Sequence, residues 1–152
     1  MMKPLIIANW KKNPTTAFAA VELAKAVQEQ YTGDTELVLC PPYVYIPQIR
    51  EILSGGVKLG AQDSSWKEEG ALTGEISPAM LKHLDCSYVI LGHSERRQYF
   101  WETNGMINRK IKSALKNKIK PILCIGENLE QRNHNKTMHV IKTQLLGCLK
   151  DI

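Results

Sequence analysis

Five short apolar runs, separated by longer segments of helical period, constrain this chain more than any other feature. The runs cover residues 5–8, 37–40, 57–61, 88–91 and 122–125 and are rich in Ile, Val and Leu. None shows the apolar–polar alternation of a sheet with one wet face, so each is expected to be a strand buried on both faces. A parallel sheet covered by helices meets that requirement, and the intervening segments supply the helices. Thr15 or Thr16 can cap a helix over residues 17–30, with Ala20, Leu23, Ala24 and Val27 on one face and Gly33 as its stop. Further helices are expected over 45–53, stopped by Gly55 and Gly56, and over 78–84, with Ser77 as cap and Pro78 as first residue. Two more are expected over 102–117 and 138–149.

The resulting order is βαβαβαβαβα, without linker, repeat or low-complexity tract. Right-handed crossovers between parallel strands follow from it. Two architectures fit: an open doubly wound sheet, or part of a (β/α)8 barrel. No Gly-x-Gly-x-x-Gly follows the first run, which argues against a dinucleotide-binding unit. Periodicity does not separate the two architectures further. In both, sites form at the C-terminal rim of the sheet. Polar residues collect there: Asn9 and Lys11 after the first run, Gln62 after the third, His93 and Glu95 after the fourth, Glu127 after the fifth.

Length and composition bound the rest. The chain has 152 residues, enough for one domain with a sizeable core, of which 43% are apolar and 23% charged. No stretch approaches the roughly 18 apolar residues of a membrane span. The apolar run after Met1, Met2, Lys3 and Pro4 is too short for a signal-peptide core, so the expected compartment is the cytoplasm. Cys40, Cys86, Cys124 and Cys148 are widely spread, which suits buried free thiols better than disulfides or zinc. The net charge of +5 could suit an anionic ligand. Arg109, Lys110, Lys112, Lys116, Lys118 and Lys120 are interleaved with Ile107, Ile111, Ala114 and Leu115 and are expected to be a solvated helix face. No aromatic residues alternate with these charges, so nucleic acid is not an expected partner.

Two groups of residues carry chemistry. His93 leaves the fourth run just after Gly92, whose backbone latitude permits a turn, and Ser94 and Glu95 favour a helical start at once. An imidazole at a helix N-terminus feels a positive partial charge that opposes protonation, so His93 is expected to be neutral and to donate a hydrogen bond. A buried polar position with flanking surface charges is the alternative. Packing with one carboxylate (Glu95) and two guanidinium groups (Arg96, Arg97) favours function. The second group is Asn9-Trp10-Lys11, where strand alternation would place Asn9 and Lys11 on one side. A Lys11 ammonium facing a phosphate at about 4 Å would gain on the order of 4 kcal/mol at an effective dielectric of 20. A solvated loop lysine would gain almost nothing.

Five motifs in these places resemble the triosephosphate isomerase family, in its order and spacing. They are Ala8-Asn9-Trp10-Lys11-x-Asn13, Leu59-Gly60-Ala61-Gln62, the run from Gly70 to Ser77, the run from Leu91 to Arg97, and Cys124-Ile125-Gly126-Glu127. The resemblance spans the whole chain and implies a (β/α)8 barrel, of which residues 1–152 would be the N-terminal five units of one domain. It implies interconversion of two triose phosphates through an enediolate, with Asn9 and Lys11 in the substrate pocket and His93 polarising the carbonyl. Ser94 and Glu95 would support His93 and Lys11, and Arg97 would sit in a buried ion pair. The family is a homodimer. Segment 66–77 resembles its projecting loop, with Thr73 reaching the neighbour's site and Glu75 pairing with Arg96 across the interface. No metal or organic cofactor is implied.

The sequence also departs from the family. A complete barrel needs about 250 residues, and the sixth strand with its general-base glutamate is not among these units; Glu95 and Glu127 match positions with other roles. The 152-residue polypeptide is therefore expected to be inactive alone, and its five-strand arc to expose two edges and an uncovered interior face. Either it is a piece of a longer protein or a second chain completes it, and unaltered motifs without polar edges favour the first. A phosphosugar-binding or structural half-barrel is the non-catalytic alternative. Lys12 stands where the family usually has an apolar or sulfur residue, and Trp101 where it usually has glycine.

Overall fold

The computed structural model describes residues 3–152 and carries the expected alternation from end to end. The strands are β1 (Leu5–Asn9), β2 (Glu36–Cys40), β3 (Lys58–Ala61), β4 (Cys86–Leu91) and β5 (Lys120–Leu123). They pair in parallel and in sequence order. The helices are α1 (Ala17–Glu29), α2 (Ile46–Ile52), α3 (Pro78–His83), α4 (Ser94–Tyr99), α5 (Asn104–Lys116), α6 (Leu129–Asn133) and α7 (Thr137–Cys148). Hydroxyls at Thr16, Ser77 and Thr103 accept from the amides of Ala19, Met80 and Met106, so α1, α3 and α5 begin where a side chain satisfies a free N–H.

Packing decides between the two architectures. A doubly wound sheet reverses its strand order and carries helices on both faces. Here Leu39, Leu59, Ala61, Val89 and Leu91 share one cluster with Ala20, Ala24, Ile49, Leu81, Ile107, Ile111 and Ala114, residues of α1, α2, α3 and α5. The other face forms a second cluster from Val38, Cys40, Tyr88 and Ile90, against which pack Ile7, Ile122 and Cys124, without a helix residue. One face takes the helices and the other curls on itself. The fold is thus five parallel units of a (β/α)8 barrel. The inward-facing side chains of β2 and β4 (Val38, Cys40, Tyr88 and Ile90) are buried by this curl and not laid open as expected. At the β1 edge the expected exposure holds, on Leu5, which shares the interior side with Ile7, and on Ile6; helix residues such as Phe18 and Leu146 are exposed as well. Gly60 lies where strands crowd: a Cβ there would stand 2.6 Å from Cys40 Sγ and 2.9 Å from Val38 Cγ1.

Three details depart from the sequence reading. β5 begins two residues before its apolar run and takes in Pro121, which the outermost of five strands tolerates. Helix α6 was not expected, although Asn128 and Gln131 form a capping box that is visible in the sequence. The third concerns Lys110. Its neighbours Arg109, Lys112, Lys116, Lys118 and Lys120 are exposed as expected, but Lys110 is 1% exposed. It stands three residues after Ile107 and four before Ala114, so it lies within the apolar stripe of α5. Its ammonium is satisfied by Asp63 Oδ1 and Oδ2 at 2.8 and 2.7 Å and by Glu102 Oε1.

Two backbone positions test this framework. Gly92 ends β4 at φ +73°, and a Cβ there would stand 3.0 Å from both Arg97 Nη2 and Ile107 Cδ1. Gly92→Ala is expected to lower the unfolding free energy by about 2 kcal/mol, from left-handed strain and crowding together. Trp101 sits at φ +51° with 80% of its surface exposed, which gives a backbone reason for the glycine usual in the family resemblance. Trp101→Gly is expected to raise the unfolding free energy by up to about 1 kcal/mol, with urea titration reading both changes.

Candidate active site

The site begins where β1 stops. Trp10 N–H donates to Cys40 O at 3.1 Å, and the chain then turns at Lys11, φ +56°. Asn9 Oδ1 accepts the Lys11 amide at 3.0 Å and so fixes the turn. Lys11 therefore faces the rim because of a left-handed turn, not because strand alternation continues through it. Gln62, at the end of β3, donates through Nε2 to Lys11 O at 2.8 Å and to Cys40 O at 2.9 Å. It ties three consecutive units together, a role that the sequence signalled only as a polar residue closing a buried strand.

The end of β4 supplies the other half. His93 is the N-cap of α4, and its Nδ1 accepts the Glu95 amide at 3.3 Å. The same nitrogen lies 3.5 Å from Glu95 Oε2. We assign Nδ1 as bare, because the Glu95 amide donates to it and is nearer than Oε2. Lys11 Nζ donates to the other carboxylate oxygen, Glu95 Oε1, at 2.5 Å. With Nδ1 accepting, the proton of a neutral ring sits on Nε2. The Lys11 hydrogen bond holds the Glu95 carboxyl below its ordinary range. Both partners are about half exposed, so the pair orients more than it stabilises.

Arg97 departs from expectation. It makes no ion pair among the described contacts; its guanidinium donates to Gly92 O at 2.7 Å, Asn104 Oδ1 at 2.8 Å and Cys124 O at 3.2 Å. Three acceptors at the ends of β4 and β5 and the start of α5 suit its fixed fork of donors. The ion cluster belongs instead to Arg96, whose Nε lies 2.6 Å from Glu102 Oε1 and 2.9 Å from Asp63 Oδ2. Burial pushes the Asp63 carboxyl up to about 6 against the pull of Lys110. Burial also acts on Glu102, but hydrogen bonds from Lys110 and Arg96 outweigh it and hold that carboxyl low. Asp63 is the member of the cluster that takes a proton first.

These groups meet around one cavity of about 550 Å³. Asn9, Lys11, Gln62, His93, Glu95 and Arg96 line it, with Lys12 and the rings of Tyr43, Tyr99 and Phe100. Of the residues singled out from the sequence, Asn9, Lys11, His93 and Glu95 are thus brought together. Thr73 and Glu75 are not: Thr73 is exposed, and Glu75 lines a separate cavity of about 270 Å³ with Ser65, Leu72, Ser77 and Met80. Lys12, the departure noted above, opens onto the 550 Å³ cavity. The arrangement presents an ammonium and an imidazole N–H to a small anionic, carbonyl-bearing ligand. Among the described residues no group of three or more His, Cys, Asp or Glu is placed to hold a metal, and no helix is long and apolar enough to cross a membrane.

Comparison with known proteins agrees with this geometry. The family model for triosephosphate isomerase matches residues 4–152. The triosephosphate isomerase of Alkaliphilus oremlandii is 48% identical over the whole of this chain, and so is that of Dictyoglomus turgidum. In both cases the match covers 62% of the relative, so the chain spans less than two thirds of the length of these relatives. The crystal structure of triosephosphate isomerase from Bartonella henselae superposes with a TM-score of 0.88 at 34% identity, over 99% of this chain and 63% of that one. On sequence, fold and the residues gathered at its rim, the chain belongs to the triosephosphate isomerase family.

Proposed function

We propose that this chain provides the phosphate-neutralising and electrophilic half of a triosephosphate isomerase site, in a protein that interconverts dihydroxyacetone phosphate and glyceraldehyde 3-phosphate. The observation that carries the reading is the sharing of one rim cavity by Lys11, Asn9 and His93. Removing a proton from the carbon beside a carbonyl leaves negative charge on the oxygen, and a preorganised donor lowers that barrier. His93, with Nδ1 occupied by the Glu95 amide, would donate from Nε2 to that oxygen. Lys11 would neutralise the phosphate and the enediolate, steered by Glu95 and by the Gln62 clamp on its carbonyl. Proton transfer between adjacent carbons needs only such acid–base and electrostatic help.

The base is a different matter. Both carboxylates at the cavity are engaged, Glu95 by Lys11 and Asp63 by Lys110 and Arg96, so neither is free to accept a carbon-bound proton. We assign that role to a glutamate outside residues 1–152, in keeping with the resemblance, and read these residues as the N-terminal part of a single barrel domain in a cytoplasmic enzyme. We further propose a homodimer in which segment 66–77 docks at the partner's rim. The acidic Glu69 and Glu75 of that segment complement Lys12 at the cavity. Thr73 and Glu75 would then do their work across the interface.

A coupled isomerase assay tests the reading. The 152-residue polypeptide alone is expected to show no turnover above background. Mixed with a polypeptide matching the last three strand–helix units of the Alkaliphilus oremlandii relative, it is expected to gain activity. That activity should fall about 100- to 1,000-fold on His93→Ala and on the order of 1,000-fold in kcat/KM on Lys11→Met. Turnover by the chain alone would contradict the assignment of the base. A folded mixture without turnover would favour a phosphosugar-binding half-barrel.

A further inference from the structure

Among the described residues Lys110 has the largest fully buried side chain, and nothing in the proposed chemistry uses it. A buried ammonium without partners would be strongly disfavoured. Here it contacts three carboxylate oxygens, two on Asp63 and one on Glu102, while Arg96 contacts the same two residues. Two cations and two anions therefore balance, with Lys110, Asp63 and Glu102 buried and Arg96 at the edge of the rim cavity. The balance is specific in sign: one guanidinium cannot neutralise both carboxylates, so loss of the lysine leaves a carboxylate uncompensated.

The cluster reaches the site by two covalent routes. Arg96 belongs to the first turn of α4, and its amide donates to His93 O at 2.9 Å. Asp63 follows Gln62, the residue that clamps the Lys11 carbonyl, and its own carbonyl accepts the Tyr43 hydroxyl. Holding Asp63 and Arg96 together thus fixes the turn after β3 against the turn after β4. We propose that Lys110 is a positioning residue for this site: by neutralising Asp63 and Glu102 together it holds Arg96, and with it the turn that presents His93 and Glu95. The inference rests on reading His93 and Lys11 as site residues. Its readout is the geometry of the turn and not turnover, so an inactive chain that still responds as described fails only that reading.

Amide hydrogen exchange and 15N NMR of the 152-residue chain make the test, with Lys110→Met and the double variant Asp63→Asn, Lys110→Met. Methionine keeps most of the stem and removes the charge; the second substitution restores balance between Arg96 and Glu102. In Lys110→Met, exchange at the amides of Glu95, Arg96 and Arg97 is expected to rise at least about tenfold more than at α1. The ring nitrogens of His93 are expected to move towards the averaged position of two exchanging tautomers. The double variant is expected to recover both readouts to within about threefold of the unaltered chain. Equal acceleration at α1 and α4 would mark a general structural role and overturn the proposal, as would failure of the double variant to recover. If Lys110→Met does not fold, Asp63→Asn alone decides: it leaves a surplus cation, so selective loss at α4 supports the proposal and unchanged protection overturns it.

Discussion

A lysine ammonium enclosed by protein obliges the chain to bring anions to it, and in this fold one of them, Asp63, comes from 47 residues away. Asp63 follows β3, Glu102 precedes α5, and Lys110 lies on α5 itself. Satisfying one buried charge therefore fixes the turn after β3 against the segment that leads into and forms α5. Arg96 adds α4 to the same knot. Interactions of this kind contribute little net stability compared with apolar packing of equal volume, but losing one partner is costly because the others are left uncompensated. The cluster is better understood as a constraint on geometry than as a source of energy.

The candidate site inherits that geometry. Parallel strands send all their C-terminal ends to one rim, so Asn9, Gln62 and His93 arrive as neighbours although far apart in sequence. Short-range devices then aim each group: the Asn9 side chain holds the Lys11 turn, Gln62 holds the Lys11 carbonyl, and the Glu95 amide occupies His93 Nδ1. Each is individually modest. Together they aim the Lys11 ammonium and the Nε2 face of the imidazole into the cavity, which is the pattern that electrostatic catalysis on a phosphorylated carbonyl compound requires.

Much of this was legible in the sequence, for physical reasons. Strands buried on both faces announce themselves by unbroken apolar runs, and hydroxyl caps at Thr16 and Ser77 mark helix starts, so the order of elements could be read directly. The polar residues after each run identified the rim. What could not be read was which charges are buried. Lys110 looks like its solvated neighbours until the stripe of α5 is set against Asp63, 47 residues away. Arg97 looks like an ion-pair partner until the carbonyls of Gly92 and Cys124 are in place. Alternation placed Lys11 on the correct side for the wrong reason, since a turn at positive φ is decided by the Asn9 side chain and not by strand period. Local pattern reports local structure; long-range charge pairing becomes visible only when the chain is folded.

The central claim is that the rim cavity around Lys11 and His93, and not the smaller cavity in segment 66–77, receives a small phosphorylated ligand. Titrating the 15N-labelled chain with glycerol 3-phosphate measures it most directly. The account predicts that amide resonances of Asn9 to Lys12 and of Gly92 to Glu95 shift together along one saturation curve. Shifts confined to residues 65–77, or none at all in a folded chain, would contradict it.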